Sequence, residues 1–93
     1  MFYHVVFLKF REDVPQSQRK DAIAMLRNLA SLPEIREWHV GEQIKPDSRY
    51  DLCEVGVFDS QEAFESFRKQ PAHQAVVGIF PKIADWEVVD SVS

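Results

Sequence analysis

The run from Tyr3 to Phe10, YHVVFLKF, constrains this chain more than any other stretch, because it is apolar on both of its alternating faces. Valine and aromatic side chains suit a pleated strand, and successive residues of a strand point to opposite sides. Tyr3, Val5 and Phe7 therefore share one face, and His4, Val6, Leu8 and Phe10 share the other. Lys9 interrupts the first set only near the strand end, where it reaches water. A strand of this kind belongs in a sheet covered on both sides. The 93 residues make one small domain, residues 1–93, and a domain of this size buries only about 60–65% of its unfolded surface. With 45% hydrophobic residues and seven Phe, the chain carries more apolar surface than a small monomer readily hides. Such a surplus points to a pocket or to a second copy.

The remaining pattern alternates helix and strand. Pro15 opens a helical stretch with Ser17 as its expected N-cap, and Ala22, Ile23, Leu26, Leu29 and Ala30 fall on one face before Pro33 ends it. A strand is expected over Glu34–Ile44, with Gly41 marking a bulge or a close backbone approach. Lys45–Arg49 holds Pro, Asp and Ser and reads as a turn or mobile loop. Tyr50–Phe58 is the next strand. Asp59 or Ser60 then caps a helix whose stripe is Ala63, Phe64 and Phe67. Pro71 stops it. A short helical segment follows, closed by Gly78 and Pro81, and a last strand contains Val88 and Val89.

The order β-α-β-β-α-β gives an α+β, ferredoxin-like fold with a four-stranded antiparallel sheet. Helices cover one face of such a sheet. Val6, Leu8 and Phe10 are expected on the other, where face-to-face pairing of two copies would cover them.

Composition excludes several functions. Eleven Lys and Arg stand against 15 Asp and Glu, a formal net charge of −4, which leaves no electrostatic footprint for nucleic acid. No apolar stretch is long enough for a membrane span. The N-terminus lacks the basic lead and cleavage site of a signal peptide, so it reads as a strand. Cys53 is the single cysteine, which rules out an internal disulfide framework and makes a reduced, cytoplasmic setting the expectation. Three histidines and one cysteine without ligand spacing predict no metal site, and three glycines form no phosphate loop.

HVVFLKF near the N-terminus, YDLCEVGVF followed by DSQEAFESF, then PAH and a closing VVD together resemble the stress-responsive dimeric α/β-barrel family, called Dabb. The resemblance spans nearly the whole chain and rests on the order and spacing of these segments. It implies a ferredoxin-like domain that dimerises, sheet against sheet, into a barrel. It also implies cofactor-free chemistry of the olivetolic acid cyclase type, in which a poly-β-keto thioester closes a ring by aldol condensation. His4 matches the first-strand histidine of those cyclases and His73 the histidine of their P-x-H motif. Phe67 stands where they have a tyrosine, and Leu52 where they have a third histidine. The cofactor-free monooxygenases of related architecture are a further resemblance.

Imidazole titrates near neutral pH, so His4 and His73 are the candidate acid/base pair for removing a proton next to a carbonyl. Pro71 would start the short helix with His73 in its first turn, and a helix N-terminus favours the neutral ring. Tyr50, beside the Lys45–Arg49 loop, is the candidate pocket hydroxyl. Phe67, Leu52, Val6 and Leu26 are the expected apolar lining. His39 is out of phase with Trp38 and Val40 and is expected in solvent or at an interface. Cys53 reads as a small buried thiol, and Asp51 and Asp90 as turn or edge charges. Two readings follow. One is an enzyme acting on a small, largely apolar carbonyl compound. The other is a non-catalytic dimer that binds a small apolar ligand or serves a stress response, in keeping with Phe67, which offers an enolate no hydroxyl.

Overall fold

A computed structural model describes residues 1–93. Four strands, β1 (Phe2–Phe10), β2 (Ile35–Glu42), β3 (Leu52–Phe58) and β4 (Ala84–Val92), form one sheet. Its order is β2-β3-β1-β4, and every neighbouring pair is antiparallel. Helix α1 (Gln16–Asn28) joins β1 to β2, and α2 (Gln61–Arg68) and α3 (Pro71–Ile79) join β3 to β4. Single 3₁₀ turns, Leu29–Ser31 and Phe80–Lys82, end α1 and α3. This is the ferredoxin-like order expected from the alternation of patterns, with α3 added before the last strand.

The helices cover the face that carries Phe2, His4, Val6, Leu8 and Phe10, all of them buried. Ile23, Leu26 and Leu29 of the α1 segment pack onto it, with Phe64 and Phe67 of α2 and Val76 of α3. The expectation that Val6, Leu8 and Phe10 lie on the uncovered face is therefore overturned. The open face carries Tyr3, Val5 and Phe7 of β1, flanked by Val57, Val55 and Cys53 on β3 and by Ser91, Val89 and Glu87 on β4. Both sets are apolar, so alternation alone does not decide which one the helices take.

Local signals account for most element ends. Ser60 caps α2, its Oγ accepting from the Ala63 N–H at 3.1 Å. Ser17 does not cap α1; the helix begins at Gln16 behind Pro15, with no side-chain cap. Trp38 Nε1 donates to the Leu26 carbonyl at 3.0 Å, tying β2 to the end of α1. The irregularity in β2 lies between Ile35 and Glu37, not at Gly41. Gly41 is a close approach: a Cβ there would stand 2.9 Å from His39 Nε2. Gly78 lies inside α3 rather than closing it. Ala30 is exposed, and the strand expected from Tyr50 begins at Leu52. His39 is exposed on the open face, as its phase predicts. No helix is long and apolar enough to cross a membrane.

Candidate active site

Between the sheet and the helices lies a cavity of about 170 Å³. His4, Val6 and Leu8 of β1, Glu54 of β3, and Trp86 and Val88 of β4 form its floor. Leu26 and Leu29 from the α1 side, and Phe64, Arg68, His73, Val76, Val77 and Phe80 from the other helices, form its roof and mouth. The structure thus brings His4 and His73, 69 residues apart in the chain as their numbers show, onto one apolar cavity.

His4 is buried, with Nδ1 2.6 Å from Asp90 Oδ1 and Nε2 3.5 Å from Glu54 Oε2. Strand register sets this up. Asp90 is directly opposite His4 on β4, and Glu54 lies one pair along on β3, opposite Val6. Gly56, opposite His4, has no side chain to intervene. Burial pulls the His4 pKa down, but the Glu54 and Asp90 carboxyl groups at the two ring nitrogens outweigh it, and the net shift is upward. Both nitrogens face acceptors, so the favoured form is the imidazolium, donating on both sides.

His73 has the opposite character. Its Nδ1 lies 3.2 Å from the Arg68 carbonyl, which also accepts from Gln74 Nε2 at 2.6 Å. A carbonyl only accepts, so Nδ1 carries the hydrogen and Nε2 of the neutral ring keeps its lone pair. The ring packs on Phe67 with centroids 4.7 Å apart. Burial lowers its pKa first, and the charges of His4 and Arg68 add to this against the raising effects of the Arg68 carbonyl and Glu54. The lowered pKa favours the neutral ring, with burial rather than the helix N-terminus as its first cause. Two histidines on one cavity are thus driven apart, one towards the cation and one towards the free base.

Of the expected lining residues, Val6 and Leu26 line the cavity. Tyr50, Leu52 and Phe67 do not. Tyr50 lies against Phe7 of the open face, ring centroids 5.4 Å apart, and so is on the wrong side of the sheet for a pocket hydroxyl. Leu52 and Phe67 are core residues, 2% and 0% exposed. Phe67 supports the His73 ring from behind. Asp90, expected as a turn or edge charge, is instead the partner of His4, whereas Asp51 does serve a strand end, its Oδ2 accepting from the Phe10 N–H at 2.8 Å. Glu54 was missed altogether. Its signal was present in the sequence: a carboxylate alternating with Leu52, Gly56 and Phe58 on the core side of a strand. Cys53 is partly buried on the open face, and burial pushes its thiol pKa up, away from the nucleophilic thiolate. No group of three His, Cys, Asp or Glu side chains converges on a point as metal ligands do.

The model of the Dabb family, described as the stress responsive A/B barrel domain, matches residues 2–93. No curated protein sequence matches the chain. Among solved structures, it is similar to a dimeric ferredoxin-like protein of unknown function from Thermobifida fusca, with TM-score 0.85 and 24% identity over 99% of this chain and 90% of that one. A Dabb family protein with a ferredoxin-like fold from Mesorhizobium loti gives TM-score 0.83 and 18% identity over 99% and 95%. The hydroxynitrile lyase of Passiflora edulis gives TM-score 0.83 and 25% identity over 97% and 90%.

Proposed function

Because the chain belongs to the stress-responsive A/B barrel (Dabb) family, we propose that it is a homodimer with a cofactor-free acid/base site for a small carbonyl compound. The opposed states of His4 and His73 on one cavity carry this reading. Nε2 of neutral His73 takes a proton from the carbon beside the carbonyl, and negative charge gathers on the carbonyl oxygen. His4 Nε2–H, held by Glu54 only at 3.5 Å, turns to that oxygen as a donor, with the imidazolium charge opposing the developing one. In ring closure in the manner of polyketide cyclases, the enolate carbon attacks a second carbonyl and His73 returns the proton to the new alkoxide. In cleavage of a hydroxynitrile the same base takes the hydroxyl proton instead, the carbonyl forms as the C–CN bond breaks, and the departing cyanide receives the proton. The neighbour from Passiflora edulis, a hydroxynitrile lyase, supports cleavage as the alternative. The open face with Val5, Phe7 and Val55 is the dimer surface, and the dimeric neighbours support it. A reducing, cytoplasmic setting remains part of the proposal.

The test is exchange of the protons beside the carbonyl of a methyl ketone in D₂O, followed by NMR. Wild-type protein is expected to accelerate exchange, and His73→Ala to lose about a hundredfold or more of that acceleration while remaining folded by circular dichroism. Equal exchange by the two proteins would remove His73 as the base. Absence of acceleration with saturable binding would favour the second reading, a ligand-binding dimer. The fully buried, hydroxyl-free Phe67 is the observation on that side.

A further inference from the structure

The size and charge of the cavity restrict what it can hold. At about 170 Å³ it is close to an apolar protein cavity of about 150 Å³ that takes up benzene. It is well below the range of about 300–1,000 Å³ for pockets that enclose drug-sized ligands. Ten of its 14 lining residues are hydrophobic, so the body of an occupant meets side chains such as Leu26, Leu29, Val76 and Phe80. Polar groups gather at His4, Glu54 and His73. There two carboxyl groups, Glu54 and Asp90, flank one imidazole. Both ring nitrogens of His4 are already held by carboxyl groups, so an anionic ligand brought to that end would have to displace buried Glu54 or the partly exposed Asp90 to meet the cation. Arg68, the remaining cation, stands at the mouth, half exposed and paired with Glu65 at 3.2 Å.

Trp86 sets the outer limit. It lies on the edge strand β4 opposite Leu8, with no further strand beside it, and is 44% exposed while lining the cavity. Val77 faces the same opening from α3 and is also exposed.

We propose that this cavity is a binding site for a neutral ligand of one six-membered ring, or an aliphatic group of similar bulk, bearing a single hydrogen-bonding oxygen, and that Trp86 is the residue that excludes larger ring systems. The proposal deepens the reading of the cavity as a ligand site and names the class of molecule it takes.

The experiment uses three probes: acetophenone, 2-acetonaphthone and benzoate. Binding is read from NMR shifts of the valine methyl groups lining the cavity. Acetophenone is expected to shift the Val76 and Val88 signals saturably. The naphthyl ketone and benzoate should bind at least about tenfold more weakly. Trp86→Ala should recover most of the naphthyl binding without improving benzoate. Val77→Ala, a smaller change at the same mouth, serves if the Trp86 variant does not fold. Equal or tighter binding of 2-acetonaphthone to wild type, preference for benzoate, or no saturable shift with any probe would overturn the proposal. Proton exchange is a separate readout. If acetophenone binds with the expected selectivity but its protons do not exchange, the size class stands and the catalytic reading falls. If exchange is fast but insensitive to ring size, the reverse holds.

Discussion

His4 on β1 and Asp90 on β4 face each other in register, with Nδ1 2.6 Å from Oδ1. On its other side the same ring reaches Glu54 of β3 at 3.5 Å. One imidazole therefore links three neighbouring strands on the helix-covered face. Removing either carboxyl group would leave a buried ring nitrogen without its acceptor, which costs more than the net worth of the bond itself.

Stability should depend on pH through this ring. The folded pKa of His4 lies above its ordinary value of 6.5. Folded-state binding of the proton then exceeds that of the unfolded chain between those two values, so stability falls as pH rises through them. The contribution is complete below 6.5 and lost above the folded pKa. Asp90→Asn should therefore destabilise the protein at about pH 6, by about 1–2 kcal/mol once the partial exposure of Asp90 is allowed for. The difference should shrink by about pH 9. Urea unfolding at both pH values measures it. A penalty independent of pH would mean that the proton on His4 does not contribute.

Gly56→Ala should be destabilising although it adds one methyl group. A Cβ at that position would come within 2.8 Å of Trp38 Cζ3 and 2.9 Å of Phe58 Cε1. Phe58 is completely buried, so neither ring gives way freely, and overpacking of this kind costs about 1–3 kcal/mol. Gly78→Ala, where nothing lies within 4 Å of the added carbon, is the matched control. Placing an alanine in a helix interior should stabilise by about 0.4–1 kcal/mol. Chemical unfolding of the two variants should give opposite signs.

His4 and His73, which line one cavity, were singled out by the resemblance of the HVVFLKF and PAH segments, whereas fold order was legible because it rests on local patterns, strand alternation and proline and serine punctuation. Face assignment was not. Tyr3, Val5 and Phe7 are as apolar as Val6, Leu8 and Phe10, and only packing against Leu26 and Phe64 separates them. Asp90 was illegible for another reason. Its role depends on a register that pairs residues 86 apart, and an aspartate on an edge strand looks the same whether or not a histidine faces it. Tyr50 failed through topology: two residues before β3 the chain carries its ring to Phe7, on the far side of the sheet. Glu54 was readable in principle, since a carboxylate on the buried period of a strand needs a partner.

Val5→Glu should separate the dimer. Val5 lies between Val55 and Val89 on the open face, so two facing sheets would bury two new carboxylates against apolar side chains. In the single chain Val5 is only partly buried, so the protomer should stay folded. Light scattering should give twice 10.8 kDa for wild type and 10.8 kDa for the variant, with unchanged circular dichroism. A wild-type monomer, or a dimer that survives the substitution, would place the interface elsewhere or nowhere.

Phe67→Ala should affect both stability and the candidate base. The ring is fully buried among Trp38, Phe58 and Phe64. Its removal should cost about 3–5 kcal/mol, since the space left cannot collapse without moving those rings. His73 rests on the same ring, and burial is the first cause of its lowered pKa. Water entering beside it should therefore raise the His73 pKa towards 6.5. An NMR titration of the His73 ring protons separates this effect from simple loss of fold. Phe67→Leu, which keeps most of the bulk, should move both quantities less. A His73 pKa unchanged in folded Phe67→Ala protein would show that the packing on Phe67 does not set the state of the base.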